Sequence, residues 1–226
     1  MKKIILILLA LFISLPTFAY VTNTTKSGEF EKMTHEIGYK LLNANKIPYN
    51  ITFSINKRNI VNACSKYNNK SIVVYKDLFN YLENEDELAG ILAHEISHSV
   101  DYSQGAFKGY FSVISTNLAP KKYEYKADKR AVDYVVKAGY NPLGIITALQ
   151  KIASQPRYDW YLSHPLTSKR TATVYEYIYT KYPEYLVQNE YKDNLVYQNF
   201  LLTSKENRKK LEKKVSSGSK KQIKYQ

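Results

Sequence analysis

Cysteine is almost missing from this chain of 226 residues. Cys64 stands alone, so no intramolecular disulfide can form, and the thiol reads as a small apolar core residue. Packing, and any bound ion, must hold the fold together. Long apolar runs are missing too: nothing after the first fifteen residues is able to span a bilayer. No cysteine follows that opening run, which argues against a lipoprotein anchor. No internal repeat is visible, which sets aside a repeat array. The net charge of +13 comes without any nucleic-acid-binding motif, so nucleic acid is not an expected partner. Histidine is scarce, four in all, and two of the four stand in one short pattern.

The N-terminus has three parts. Met1-Lys2-Lys3 is basic, Ile4 to Leu15 is apolar except for Ser14, and Pro16-Thr17-Phe18-Ala19 ends the run with small residues at Thr17 and Ala19. That order describes a secretory signal peptide over residues 1–19, cut after Ala19. An exported protein, periplasmic or extracellular, is the expectation; an uncleaved N-terminal anchor is the alternative. Residues 20–204 are long enough for one domain with its own core. Residues 205–226 carry nine Lys/Arg against Glu206 and Glu212. With Ser216-Ser217-Gly218-Ser219 inside it, this stretch reads as a flexible, solvated basic tail. Such a tail suits weak contact with an anionic membrane or envelope surface.

Between these ends the hydrophobic period changes. Phe30, Met33, Ile37 and Leu41 recur at helical spacing over 28–45. Residues 51–55, 60–63 and 71–75 read as strands, with 66–70 as a turn, giving a small antiparallel sheet. Helices are expected over 77–82, 85–102, 123–138 and 143–153. Gly139 and Asn141-Pro142 mark the stop of the third. Residues 103–117 are ambiguous, because Gly105 and Gly109 oppose helix while Phe107, Tyr110, Phe111 and Val113 call for burial. Helical patterns return after Ser168 and over 191–214. The class is α+β, mainly helical, with the sheet early.

The pattern with chemistry in it is His94-Glu95-Ile96-Ser97-His98. Residues four apart on a helix share a face, so both imidazoles leave the same side and can meet one Zn²⁺. Glu95 is placed to act as general base on a water at the metal. The helix context is favourable: Glu85, Asp86 and Glu87 suit a helix N-terminus, and Leu88, Ile91 and Leu92 form an apolar stripe. Two surface histidines on a charged turn would be the bland alternative. A catalytic zinc needs a third protein ligand. Glu124 is the candidate, with Asp128 four residues on and on the same face. Asp128 is then suited to accept the free N–H of a ligand histidine. Taken alone, the pair also reads as solvated carboxylates facing Lys121, Lys122 or Arg130.

Four segments in this order resemble the M48 family of zinc metallopeptidases over roughly residues 50–175. They are Asn59-Ile60-Val61-Asn62-Ala63, the run from Glu87 to His98, Glu124 to Asp128 with Ala138-Gly139-Tyr140-Asn141-Pro142, and Ser163-His164-Pro165-Leu166 with Arg170. The resemblance implies a zincin-like metalloprotease domain binding one Zn²⁺ through His94, His98 and Glu124, with Glu95 as base. It implies a place near the metal for His164, as a removable fourth ligand or a transition-state donor. Arg170 is expected to orient substrate or a carboxylate, and the strand near Asn62 to pair with an extended substrate. The implied activity is endopeptidase cleavage of exported, unfolded or misfolded polypeptides. The alternative is an exported holdase or binding module with a latent or structural zinc. The chain departs from the family in Asn68-Asn69, where a Gly-Gly turn is usual, and in lacking the spans of the membrane-embedded members.

Overall fold

Ile72, Val73 and Val74 make an unbroken apolar run, as a strand covered on both faces requires, and all three are buried. In the computed structural model, which describes residues 26–48, 50–66, 70–103, 120–153 and 167–225, this run is the central strand of three. A helix α1 (Lys26–Ala44) precedes β1 (Thr52–Asn56), β2 (Ala63–Lys66) and β3 (Ser71–Tyr75), and the strand order is β1-β3-β2. The sheet is mixed, which corrects the expected antiparallel sheet. β2 runs antiparallel to β3 with Ala63 opposite Val74, but β1 runs parallel to it with Thr52 opposite Ser71. The short link from Lys66 to Ser71 forces the first relation. Alternation along β1 identifies the face it buries and carries no information about a partner's direction. β2 also begins at Ala63 rather than Ile60, and the carbonyl of Asn62 accepts the Tyr75 N–H at 2.9 Å just ahead of it.

The segment after β3 is a 3₁₀ turn over Lys76–Asn80, followed by α2 (Glu85–Ser103), α3 (Pro120–Lys137), α4 (Leu143–Ala153), α5 (Thr167–Lys181), α6 (Glu184–Val187), α7 (Leu195–Thr203) and α8 (Lys205–Ser216). α2 is the centre of the molecule. Every residue from Glu87 to Ser99 is buried, and α1, β2, α3 and α4 all pack on it. Its start is strongly specified. Asn84 Oδ1 accepts the Glu87 N–H at 3.0 Å while Glu87 Oε2 accepts the Glu83 N–H at 2.7 Å, a reciprocal cap. Glu87 is fully buried, and Lys151 Nζ on α4 donates to its Oε1 at 2.6 Å. Asp86 Oδ1 accepts the Asn141 N–H at 2.9 Å.

α2 and α4 approach closely because both present glycine. A Cβ on Gly90 would lie 2.7 Å from Ile145 Cγ1, and one on Gly144 would lie 2.7 Å from the Asp86 carbonyl carbon. α3 stops where the sequence predicts. Gly139 takes φ +76° and the Tyr140 N–H reaches back to the Val135 carbonyl at 2.9 Å, a Schellman end.

The C-terminal stretch read as flexible begins as the helix α8, so the helical spacing expected to Lys214 is the better guide there. Leu211 is buried, and Lys214 Nζ and Tyr225 Oη both donate to Glu176 on α5, each at 2.7 Å. One apolar residue and one shared carboxylate seat a segment whose other side chains are mostly solvated. No described helix is long and apolar enough to cross a membrane. The expected signal peptide, residues 104–119 and His164 lie outside the described residues.

Candidate metal centre

The helical spacing of His94 and His98 turns both rings to one side of α2, toward α3. Among the described residues, three side chains of metal-ligating type converge there: His94, His98 and Glu124, all buried. His98 Nε2 lies 3.1 Å from His94 Nε2. Glu124 spans the pair, with Oε2 at 3.3 Å from His94 Nε2 and Oε1 at 3.2 Å from His98 Nε2. Two imidazole nitrogens and the carboxylate that spans them therefore converge from two helices, close enough to share one ion.

The groups around this cluster are tied to it by further contacts. Asp128, one turn beyond Glu124, places Oδ1 2.9 Å from His94 Nδ1, which directs the other ring nitrogen at Glu124 and His98. Arg170 from α5 grips Asp128 with both edges of its fork: Nε donates to Oδ2 at 2.8 Å and Nη2 to Oδ1 at 2.6 Å. Arg170 is only 1% exposed, and its Nη1 lies 3.4 Å from Glu124 Oε2. Of the two partners expected for Arg170, a substrate or a carboxylate, the contact present is a carboxylate. Glu95, between the two histidines in sequence, reaches the sheet. Its Oε2 accepts the Ser65 N–H of β2 at 2.8 Å, while its buried Oε1 has no hydrogen-bond partner among the described residues.

Residues 26–106 match the model of peptidase family M48. Over that stretch the chain is similar to the M48 peptidases. The matched stretch includes the helix with His94, Glu95 and His98 and ends before Glu124, so the placement of Glu124, Asp128 and Arg170 rests on the geometry above. Among relatives, the Beta-barrel assembly-enhancing protease of Yersinia pestis is 26% identical, over 59% of this chain and 36% of its own length. The proteins of the same name from Escherichia coli K12 and Shigella flexneri are 23% identical, over 61% of this chain and 37% of theirs. The chain thus matches little more than a third of the length of these relatives.

Electrostatics in the site follow from burying four charged or titratable groups together. Burial and the Arg170 charge both oppose protonation of His94, but the hydrogen bonds its ring donates to Asp128 and Glu124 outweigh them and raise its pKa to about 9. Burial alone would raise Asp128; the Arg170 guanidinium and His94 hold it down at about 2. The raised His94 value reflects the two carboxylates beside it, surroundings that suit a divalent cation, while the lowered Asp128 value reflects the two cations that face it.

Three features escaped the sequence. Asp101 is buried on the last turn of α2 and takes Lys126 Nζ at 2.8 Å and Arg130 Nη1 at 2.7 Å. Arg130 also donates to the Ser97 carbonyl at 3.2 Å. This clamp fixes α3 against α2, and it uses the arginine that the sequence had offered as a partner for Glu124 or Asp128. The Glu87–Lys151 pair does the same for α4. The spacings Asp101…Lys126…Arg130 and Glu87…Lys151 carry no signal for either contact, because both cross between helices. The third is Ser65, whose backbone contact has no side-chain signature. Asn62, expected beside the substrate, spends its carbonyl on β3.

Proposed function

We propose that this protein is a zinc-dependent endopeptidase acting on exported, unfolded or misfolded polypeptides, with His94, His98 and Glu124 as ligands of one Zn²⁺ and Glu95 as the base. The observation that carries this reading is the convergence of two imidazole nitrogens 3.1 Å apart with the Glu124 carboxylate, whose Oε2 lies 3.3 Å from His94 Nε2 and whose Oε1 lies 3.2 Å from His98 Nε2. Ligand atoms about 2.0–2.1 Å from zinc at tetrahedral angles lie roughly 3.3 Å from one another, so these separations suit one Zn²⁺ held by three protein side chains. Bound there, zinc would supply Lewis acidity, making water more acidic and polarising a peptide carbonyl.

The chain's own residues do the rest. Glu95 Oε1, buried and without a partner among the described residues, takes a proton from the attacking water and returns it to the departing amine. Asp128 holds the Nδ1–H of His94, so that Nε2 remains the ligand atom and is made more basic. Arg170 keeps Asp128 ionised and correctly turned. His164, outside the described residues, is proposed as the group that approaches the metal from the remaining side. The relatives are named for protease action in β-barrel assembly, and exported substrates and a periplasmic or extracellular location are proposed on that footing, with residues 1–19 as the signal peptide. The exposed lysines of 205–226 are proposed to supply only weak contact with an anionic envelope surface.

A second reading, a binding module whose zinc site is latent, draws on the burial of the site: Glu95 is 1% and His98 7% exposed. Casein cleavage by the purified chain separates the two. Cleavage that stops when a chelator strips the metal and returns with Zn²⁺ supports the endopeptidase. A zinc-loaded chain that binds casein and leaves it intact supports the module.

A further inference from the structure

The register of β2 decides what its free edge offers. The Tyr75 N–H donates to the Asn62 carbonyl, and Ala63 pairs with Val74, Cys64 with Val73, Ser65 with Ile72. In an antiparallel ladder, hydrogen-bonded and non-hydrogen-bonded pairs alternate. Asn62 and Cys64 therefore turn their backbone groups toward β3, and Ala63 and Ser65 turn theirs outward. β2 is an edge strand, so nothing in the sheet takes these outward groups. The Ser65 N–H finds its acceptor on α2 instead, in Glu95 Oε2 at 2.8 Å.

We infer that Ser65 is a positioning residue for the reaction: its outward-facing N–H pins Glu95 Oε2 and so commits Oε1 as the oxygen that moves the proton. The reasons are physical. A glutamate has three side-chain torsions, and leaving them unfixed next to the metal ligands would let the carboxylate swing off line; one charge-assisted hydrogen bond from rigid backbone removes that freedom. The two oxygens are also unequal in the way the role requires, one bonded and one buried without a partner among the described residues. The contact joins sheet to metal helix, so it ties the base to the strand edge rather than to its own helix. It has a further consequence for substrate. With the Ser65 N–H taken, an extended peptide lying on this edge finds only the Ser65 carbonyl and the Ala63 backbone, so its pairing is confined to the upstream half of β2.

This inference rests on Glu95 being the base, and the experiment keeps the two apart. Proline at an edge position with an outward N–H costs no ladder bond, so Ser65→Pro deletes the donor alone. The assay is steady-state cleavage of a casein-derived peptide by the full chain, with zinc content measured on each sample and Glu95→Gln alongside. Expected is a fall in kcat on the order of 10- to 100-fold for Ser65→Pro, with KM within about twofold and zinc at one per chain; Ser65→Ala, which keeps the donor, rescues kcat. Should Ser65→Pro not fold, replacing the residue-65 amide by an ester removes the same N–H without changing the backbone path, and the same fall in kcat is expected. A folded, zinc-replete variant lacking the N–H but retaining kcat, beside an inactive Glu95→Gln, overturns the role of Ser65. An active Glu95→Gln overturns the underlying reading instead.

Discussion

Arg170 is the residue whose removal the structure prices most directly. It is 1% exposed, it donates twice to Asp128 at 2.8 and 2.6 Å, and Asp128 is itself 1% exposed. Arg170→Leu keeps an apolar stem of similar reach and leaves a buried carboxylate facing only His94. Breaking a buried pair from one side costs about 3–5 kcal/mol, because the remaining charge is uncompensated. Asp128→Asn in the same background removes that charge, so the double variant recovers part of the loss. A coupling energy of about 2 kcal/mol or more is expected from the four-member cycle. Urea unfolding of the chelator-treated chains, followed by far-ultraviolet circular dichroism, gives all four stabilities. Zinc affinity of Arg170→Leu is expected to fall on the order of 10- to 100-fold, since Asp128 no longer holds His94 in one tautomer and orientation. A single-variant loss below about 1 kcal/mol, or additivity across the cycle, refutes the claim that Arg170 acts through Asp128.

Other outcomes follow from the same geometry. Asp128 titrates at about 2 against an ordinary 3.8; a depressed acid stabilises the fold above its unfolded value and loses that contribution as pH falls toward 2. The shift is worth about 2 kcal/mol, so the stability gap between metal-free wild type and Asp128→Asn should narrow by about that much between pH 5 and pH 2 in urea titrations, and a constant gap contradicts the assignment. Gly144→Ala should destabilise by about 1–3 kcal/mol despite alanine's better helix propensity, because its Cβ would sit 2.7 Å from the Asp86 backbone; a thermal melt unchanged from wild type would show that α2 and α4 can part freely. Lys151→Met takes the cation from buried Glu87 beside the start of α2, and about 3 kcal/mol should be lost in urea unfolding; an unchanged midpoint would show that the pair does not hold α4 to α2. Glu124→Ala should lose the metal, read as zinc per chain after dialysis, and full occupancy would move the third ligand elsewhere.

What could be read in the chain divides by range. His94 to His98 sit on one helix, so a spacing of four places both rings on one face, and the sequence alone carries that. Glu124 and Asp128 are legible as a pair for the same reason, but their arrival at His94 depends on how α3 crosses α2. The Asp101–Lys126–Arg130 clamp and the glycine-lined contact of α2 with α4 make that crossing, and neither leaves a periodic trace. The antiparallel expectation for the sheet failed because apolar alternation records a face and never a neighbour. Within 205–226 composition averages over lysines and overlooks a single Leu211 with a place to go, so it gives no sign of α8. Ser65 is the extreme case: any residue but proline offers the same N–H, so only the fold could reveal it.

The proposed chemistry stands or falls on whether Glu95 moves the proton at a metal held by His94, His98 and Glu124. The deciding measurement is casein cleavage by zinc-replete Glu95→Gln, with metal content matched to wild type. One zinc per chain is expected in both, with no turnover in the variant, a loss of at least about 100-fold. Cleavage by Glu95→Gln at the wild-type rate would contradict the proposal.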